Sequence, residues 1–131
     1  MTKYKLPAIF LLLLLASCKP FMTPDSLYGT WKYTKVENPN QTPPDSVSKY
    51  DLQEQSPYIT FTKQDSLKII WYGKLLSHGK FIIDGHNIQY TEILPGGKSR
   101  TFPFWVSKIT AKDLIFETSG EDGTRVTAVK E

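Results

Sequence analysis

The sequence predicts an all-β fold, an eight-stranded antiparallel up-and-down barrel, and three observations carry that expectation. From Tyr28 onward the chain is a succession of short aromatic and β-branched runs, with no helical apolar period of useful length. The links between runs are short and built from turn residues, which implies antiparallel neighbours, because a parallel return needs a crossover of about a dozen residues. Eight such runs in meander order can close on themselves, which removes the exposed edges of an open sheet.

The first strand is expected over Gly29 to Glu37, ended by Asn38-Pro39-Asn40-Gln41-Thr42-Pro43-Pro44, whose prolines cannot donate to a ladder. Asp45 to Gln55 is polar, with Val47, Tyr50 and Leu52, and reads either as a short helix capped by Asp45 or as irregular chain. Seven strands follow: Tyr58 to Lys63, Leu67 to Leu76, Lys80 to Ile83, Asn87 to Leu94, Arg100 to Ile109, Leu114 to Thr118 and Thr124 to Lys130. The turns between them are expected at Gln64-Asp65-Ser66, Ser77-His78-Gly79, Asp84-Gly85-His86, Pro95-Gly96-Gly97, Ala111-Lys112-Asp113 and Ser119 to Gly123. Alternation such as Phe81/Ile83, Ile88/Tyr90, Phe102/Phe104/Val106 and Leu114/Phe116 marks strands with one buried face.

Before the barrel, Lys3 and Lys5 precede an apolar run that ends in Leu15-Ala16-Ser17-Cys18. A basic start, a short apolar stretch and a small-residue cleavage site are the parts of a secretory signal, too short to span a bilayer stably. The last four residues match the bacterial lipobox, so the chain resembles a bacterial lipoprotein. That resemblance implies cleavage between Ser17 and Cys18, a diacylglyceryl thioether on Cys18, and a further acyl chain such as palmitate on the freed amine. At about 0.8 kcal/mol per buried methylene, several chains make release negligible. The organisation expected is a signal peptide over 1–17, a tether over 18–27 and a barrel domain over 28–131. Lys19, rather than an acidic residue, follows the cysteine, which by the same resemblance favours the outer membrane, with the periplasmic or surface face left open.

Removing residues 1–17 leaves 114 of the 131, one domain with a single core. Without Lys3 and Lys5 the 16 basic residues become 14 against 13 acidic, a nearly neutral surface. Nucleic-acid binding, which needs clustered Lys and Arg, is not expected. Cys18 is the one cysteine, so no disulfide is available and the fold rests on packing and hydrogen bonds.

Tyr28-Gly29-Thr30-Trp31-Lys32 resembles the Gly-x-Trp opening of the lipocalin superfamily, and Val106 to Glu117 with the final strand is similar to the closing hairpins of small lipocalin-like domains of bacterial lipoproteins. The resemblance implies that Gly29 and Trp31 build the barrel base and that a basic side chain of the last strand, Lys130 or Arg125, packs over the indole. The chain departs from large lipocalins in its length, in lacking a long C-terminal helix and a disulfide, and in its Pro-rich loop.

An eight-stranded barrel is either filled by its side chains or holds one small ligand. Fifteen aromatic residues follow Cys18, and Tyr33, Trp71, Tyr90 and Phe104, taken as mid-strand, are the candidate lining of an apolar pocket. The function expected is noncatalytic binding of a small apolar or amphipathic ligand at the cell envelope. The alternative is a protein-interaction module, an envelope inhibitor or assembly accessory, with a filled barrel and an exposed aromatic patch around Tyr50, Trp71 or Trp105. Neither a cofactor nor a metal is expected: His78 and His86 fall in separate turns, Asp84 and Glu92 have no acid-base spacing, and no nucleophile elbow occurs. Pro95-Gly96-Gly97-Lys98-Ser99 lacks the spacing and following helix of a phosphate loop and reads as a hairpin link.

Overall fold

The computed structural model describes residues 19–120 and 123–131, so Ser17 and Cys18 lie outside the described residues. A short helix α1 (Pro24–Leu27) leads into β1 (Gly29–Asn38), followed by the two-residue β2 (Asp45–Ser46), α2 (Lys49–Gln55), β3 (Tyr58–Phe61), β4 (Ser66–Trp71), β5 (Lys74–Asp84), β6 (Asn87–Ile93), β7 (Ser99–Ile109), β8 (Asp113–Glu117) and β9 (Arg125–Lys130). Every neighbouring pair from β1 to β9 is antiparallel, in the order β1-β3-β4-β5-β6-β7-β8-β9, and β9 returns to β1. The eight long strands are therefore a closed antiparallel barrel, with β2 an appendage on the far end of β1.

Closure fixes which side chains meet. Alternate residues point inward, and the inner face is apolar: Trp31 and Tyr33 on β1, Ile59 and Phe61 on β3, Leu67 on β4, Phe81 on β5, Ile88 and Tyr90 on β6, Phe104 and Val106 on β7, Leu114 and Phe116 on β8, Val126 and Ala128 on β9. Each large side chain buried this way contributes about 1.5 to 3 kcal/mol of transfer free energy.

The base is plugged at the start of β1. The Trp31 indole N–H donates to the Leu27 carbonyl at 2.8 Å, and Lys130 Nζ lies 5.2 Å from the centroid of the indole ring. A Cβ on Gly29 would meet Lys130 Cε at 2.9 Å, so the glycine leaves room for the lysine stem beside the tryptophan two residues on. Of the two basic residues open to this role from sequence, Arg125 is engaged elsewhere, its Nε donating to Glu117 at 2.7 Å. The segment expected as a tether is packed against this base: Met22 and Leu27 are buried, and Phe21 stacks on the His86 ring at 3.7 Å.

The far end is covered by α2. Ser48 rather than Asp45 caps it, accepting from the Asp51 N–H at 3.1 Å, while Asp45 sits in β2. Leu52 is the buried residue of the helix, and Ser56 ends it in the left-handed conformation.

The β4–β5 hairpin corrects the expected turns. Leu67 to Leu76 is not one strand: the chain reverses at Tyr72-Gly73, both with positive φ (54° and 70°), between the paired residues Trp71 and Lys74. That is the two-residue hairpin in which both central residues are left-handed, a geometry that normally selects Asn or Asp at the first position. Ser77-His78-Gly79, expected as the turn, lies inside β5. Gly79 is there for close approach, since a Cβ at this position would stand 1.9 Å from the Thr91 carbonyl oxygen and 2.9 Å from the Tyr90 ring. Gly79→Ala is therefore expected to force β5 from β6 and cost about 3 kcal/mol, measured as a fall in the urea midpoint at unchanged slope. An unchanged midpoint would contradict this packing.

Candidate functional site

The four aromatic candidates all face the interior and meet one another through a chain of rings. Trp71 lies 5.8 Å from Tyr33 between centroids, Tyr33 lies 6.1 Å from Phe116, Phe116 lies 5.1 Å from Phe104, and Phe104 lies 5.6 Å from Tyr90. Tyr33, Tyr90 and Phe104 are buried. Trp71 is not mid-strand but the last residue of β4, and its indole N–H donates to Gln55 Oε1 at 2.6 Å, tying the β4 end to α2. Burial pushes the Tyr33 phenol far above its ordinary pKa, with the neighbouring Tyr90 phenol adding to the shift, so it stays neutral. These rings meet inside the barrel, and clefts open at the rim and on the outer wall.

At the rim the inner face changes from apolar to polar. Tyr90 Oη and Ser77 Oγ are 2.6 Å apart, the Ser77 hydroxyl also contacts Glu92 Oε2, and Arg100 Nε donates to Glu92 Oε1 at 2.6 Å. Gly79 makes this possible, because the Tyr90 ring lies across its missing side chain. Glu92 is the buried charged residue among the described residues, whereas the Arg100 side chain is 63% exposed. The guanidinium also lies over the Phe102 ring, 5.4 Å from its centroid. Burial by itself would raise the Glu92 carboxyl, but the Ser77 hydroxyl, the Arg100 guanidinium and, more weakly, His78 outweigh it and hold the group below its usual pKa.

Above this network the barrel wall is split. The β5–β6 ladder begins only at Gly79 and Glu92, so Lys74 to His78 of β5 part from the end of β6, helped by the register shift at Ile69/Ile70. The resulting cleft holds about 360 Å³ and is lined by the apolar Leu75, Leu76, Ile93, Leu94 and Pro95 together with Ser77, His78 and Glu92, of which Glu92 is the buried one. Leu76 is 63% exposed and Ile93 48% exposed, with Tyr72 at the adjoining turn 60% exposed, so an apolar lip surrounds a polar floor.

The remaining sequence candidates are dispersed. His78 lies within β5, whereas His86 lies in the turn to β6 and stacks between Phe21 and Trp105, the latter at 5.8 Å. Among the described residues, no group of three or more His, Cys, Asp or Glu is placed to hold a metal ion. Asp84 pairs with Asn87 at the base turn and Glu92 pairs with Gly79 at the rim, so the hairpin separates the two carboxylates. Pro95–Gly97 is the β6–β7 link, closed by the Leu94 N–H on the Lys98 carbonyl at 2.8 Å. Trp105 borders an outer groove of about 490 Å³ with Pro39, Asn40, Pro103 and Arg125. Sequence reading missed Ser77, Glu92 and Arg100 as a unit, because a register, not a spacing, brings them together.

The depressed Glu92 pKa gives an acid signature. Folding lowers this group's affinity for protons, so its stabilisation is present above the unfolded carboxyl value and is lost as pH falls through the folded one. Urea unfolding across pH is expected to show native protein more stable than Glu92→Gln at neutral pH, with the gap narrowing below about pH 4. A gap independent of pH would contradict the ionised network.

No protein-family model matches the chain, and no curated protein matches it. Among solved structures, the fold is similar to that of a lipocalin-like protein from Bacteroides uniformis ATCC 8492, with a TM-score of 0.55 at 20% identity over 81% of this chain and 99% of that one. At that identity the likeness concerns architecture, and the architecture is a closed, lipocalin-like antiparallel barrel of eight strands.

Proposed function

We propose that the chain is a lipid-anchored protein of the cell envelope that binds a small amphipathic ligand without catalysis, and that the ligand seats in the rim cleft between β5 and β6. The observation that carries this reading is the cleft itself: apolar walls of about 360 Å³ over a floor holding a hydroxyl and an ionised carboxylate. Aromatic rings in mutual contact lie below, so a ligand that does not displace them stays at this level. Glu92 uses one oxygen for Arg100 and the other for Ser77, and each retains a lone pair able to accept from a ligand ammonium or hydroxyl. The same pairing argues against catalysis, since a carboxylate with lowered proton affinity is a weak base for the Ser77 hydroxyl.

Anchoring at Cys18 supplies the envelope location. The lipobox motivates it, and outer-membrane placement follows from Lys19 by resemblance.

The second reading, a protein-interaction module, is favoured by one specific feature. Tyr72, Leu75, Leu76 and Ile93 form an exposed apolar lip that a protein partner would cover as well as a ligand does.

Native mass spectrometry and fluorescence titration with single-chain amines, alcohols and carboxylates of equal length separate the two. The amine-headed ligand is expected to bind best, and Glu92→Gln is expected to weaken it about tenfold, roughly 1.4 kcal/mol. No uptake across the panel by native protein would sink the small-ligand reading and leave the interaction module. Independently, cells fed an alkynyl palmitate are expected to label the native chain and not Cys18→Ser, and labelling that survives the substitution would refute the anchor.

A further inference from the structure

We infer that the outer flank of the barrel base, built by Phe21, His86, Trp105 and Ile82, rests on the surface of the lipid bilayer, with the rim cleft held at the opposite end. The inference extends the proposed anchoring at Cys18 and rests on it for the location of the membrane. Its first support is the shortness of the free leash. Met22 and Leu27 are buried against the barrel and Phe21 is stacked at 3.7 Å on His86, so the chain is pinned from Phe21 onward. Cys18 stands three positions before Phe21, which limits its reach to about 11 Å even when fully extended. Acyl chains attached there hold the bilayer within that reach of Phe21.

The second support is the chemistry of the flank. The rings of Phe21, His86 and Trp105 form one stack, with interplanar angles of 17° and 16°, that bridges the N-terminal segment to the outer face of β7. Phe21 is 41% exposed, Trp105 is 45% exposed, and Ile82 on β5, across β6 from β7, is 66% exposed. Aromatic rings with one apolar and one wet side are the side chains that favour the headgroup level of a bilayer. Charge at this end is mixed, with Lys19 and Lys112 against Asp25 and Asp84, so apolar contact rather than attraction to anionic lipid carries the docking. The β5–β6 turn and the start of β1 lie at the base, whereas β5 begins and β6 ends at the rim, so seating the base on lipid turns the cleft outward.

The test uses the chain from Cys18 onward, which retains every strand of the barrel, coupled through its one cysteine to a maleimide lipid in phosphatidylcholine vesicles. Coupling supplies the tether whether or not cells acylate Cys18, so failure of the biological anchor is read separately, from the absence of acyl mass on cell-made protein. Lipid brominated near the headgroup is expected to quench about a third of the tryptophan emission, the share of one tryptophan in three. Trp105→Phe, which keeps a ring in the stack, is expected to abolish that quenchable component, while Trp71→Phe at the rim leaves it. Equal quenching in native protein and Trp105→Phe, or no quenching in either, would overturn the inference. Loss of the component in Trp71→Phe instead would place the rim on the membrane and overturn it equally.

Discussion

The ladder between β1 and β9 is the constraint from which the rest of this structure follows. Six residue pairs from Trp31 with Lys130 to Glu37 with Arg125 turn a meander into a cylinder, across a register shift between Tyr33 and Lys35 that bends β1 into the curve. Once the cylinder is shut, the inward side chains of its strands meet one another across the enclosed volume. Trp31, Phe61, Phe81, Tyr90, Phe104 and Phe116 do so with few large rings in place of many small groups. The same closure makes the first and last strands interdependent at the base, where Lys130 from the end of the chain lies over Trp31 from its beginning.

Much of the barrel was legible because alternation survives in the sequence wherever a strand has one buried face. Ile88 and Tyr90 in β6 and Leu114 and Phe116 in β8 read correctly on that ground. The β4–β5 hairpin did not, for two physical reasons that reinforced each other. Tyr72 adopts the left-handed conformation without the side-chain hydrogen bond that makes Asn or Asp recognisable there, and Ser77-His78-Gly79 offers turn chemistry that tertiary packing overrides. Gly79 looks like punctuation in one dimension. In three it is the flat floor on which the Tyr90 ring lies. The rim network was equally hidden, since Ser77 and Glu92 are fifteen positions apart and meet only through a register that the displaced turn obscured. The cap of α2 slipped by three residues for a local reason: Asp45 was drawn into pairing with the end of β1, leaving Ser48 to meet the free amides.

A chain of buried rings inside the barrel does not make it inert; polar chemistry gathers where the interior meets the rim. Packing below the rim leaves little freedom for the rings, but β5 and β6 separate above Gly79, where the interior first meets water. Burying a carboxylate costs several kcal/mol unless it is paired. At the rim the Arg100 guanidinium reaches Glu92 from solvent with most of its own hydration retained, so the pair avoids half of the desolvation a buried ion pair would suffer.

That arrangement also explains why the polar network sits where it does and not one layer lower. Tyr90 places its ring among Phe102 and Phe104 and its hydroxyl on Ser77, and so it belongs to the core by its body and to the rim by its tip. A pair of residues that served packing alone would be apolar at Ser77 and Glu92, as Phe81 and Ile88 are nearer the base. The ionised Glu92 is stabilised by its hydroxyl and guanidinium partners, yet packing alone does not call for a charge there, and a polar group placed among apolar side chains at a rim is suited to orienting a ligand. The apolar lip of Leu75, Leu76 and Ile93 shares that logic, since exposed side chains of this size lower solubility unless something covers them. A floor that demands a hydrogen-bond donor beneath a lip that demands an apolar cover specifies an amphipathic occupant more tightly than either feature does separately.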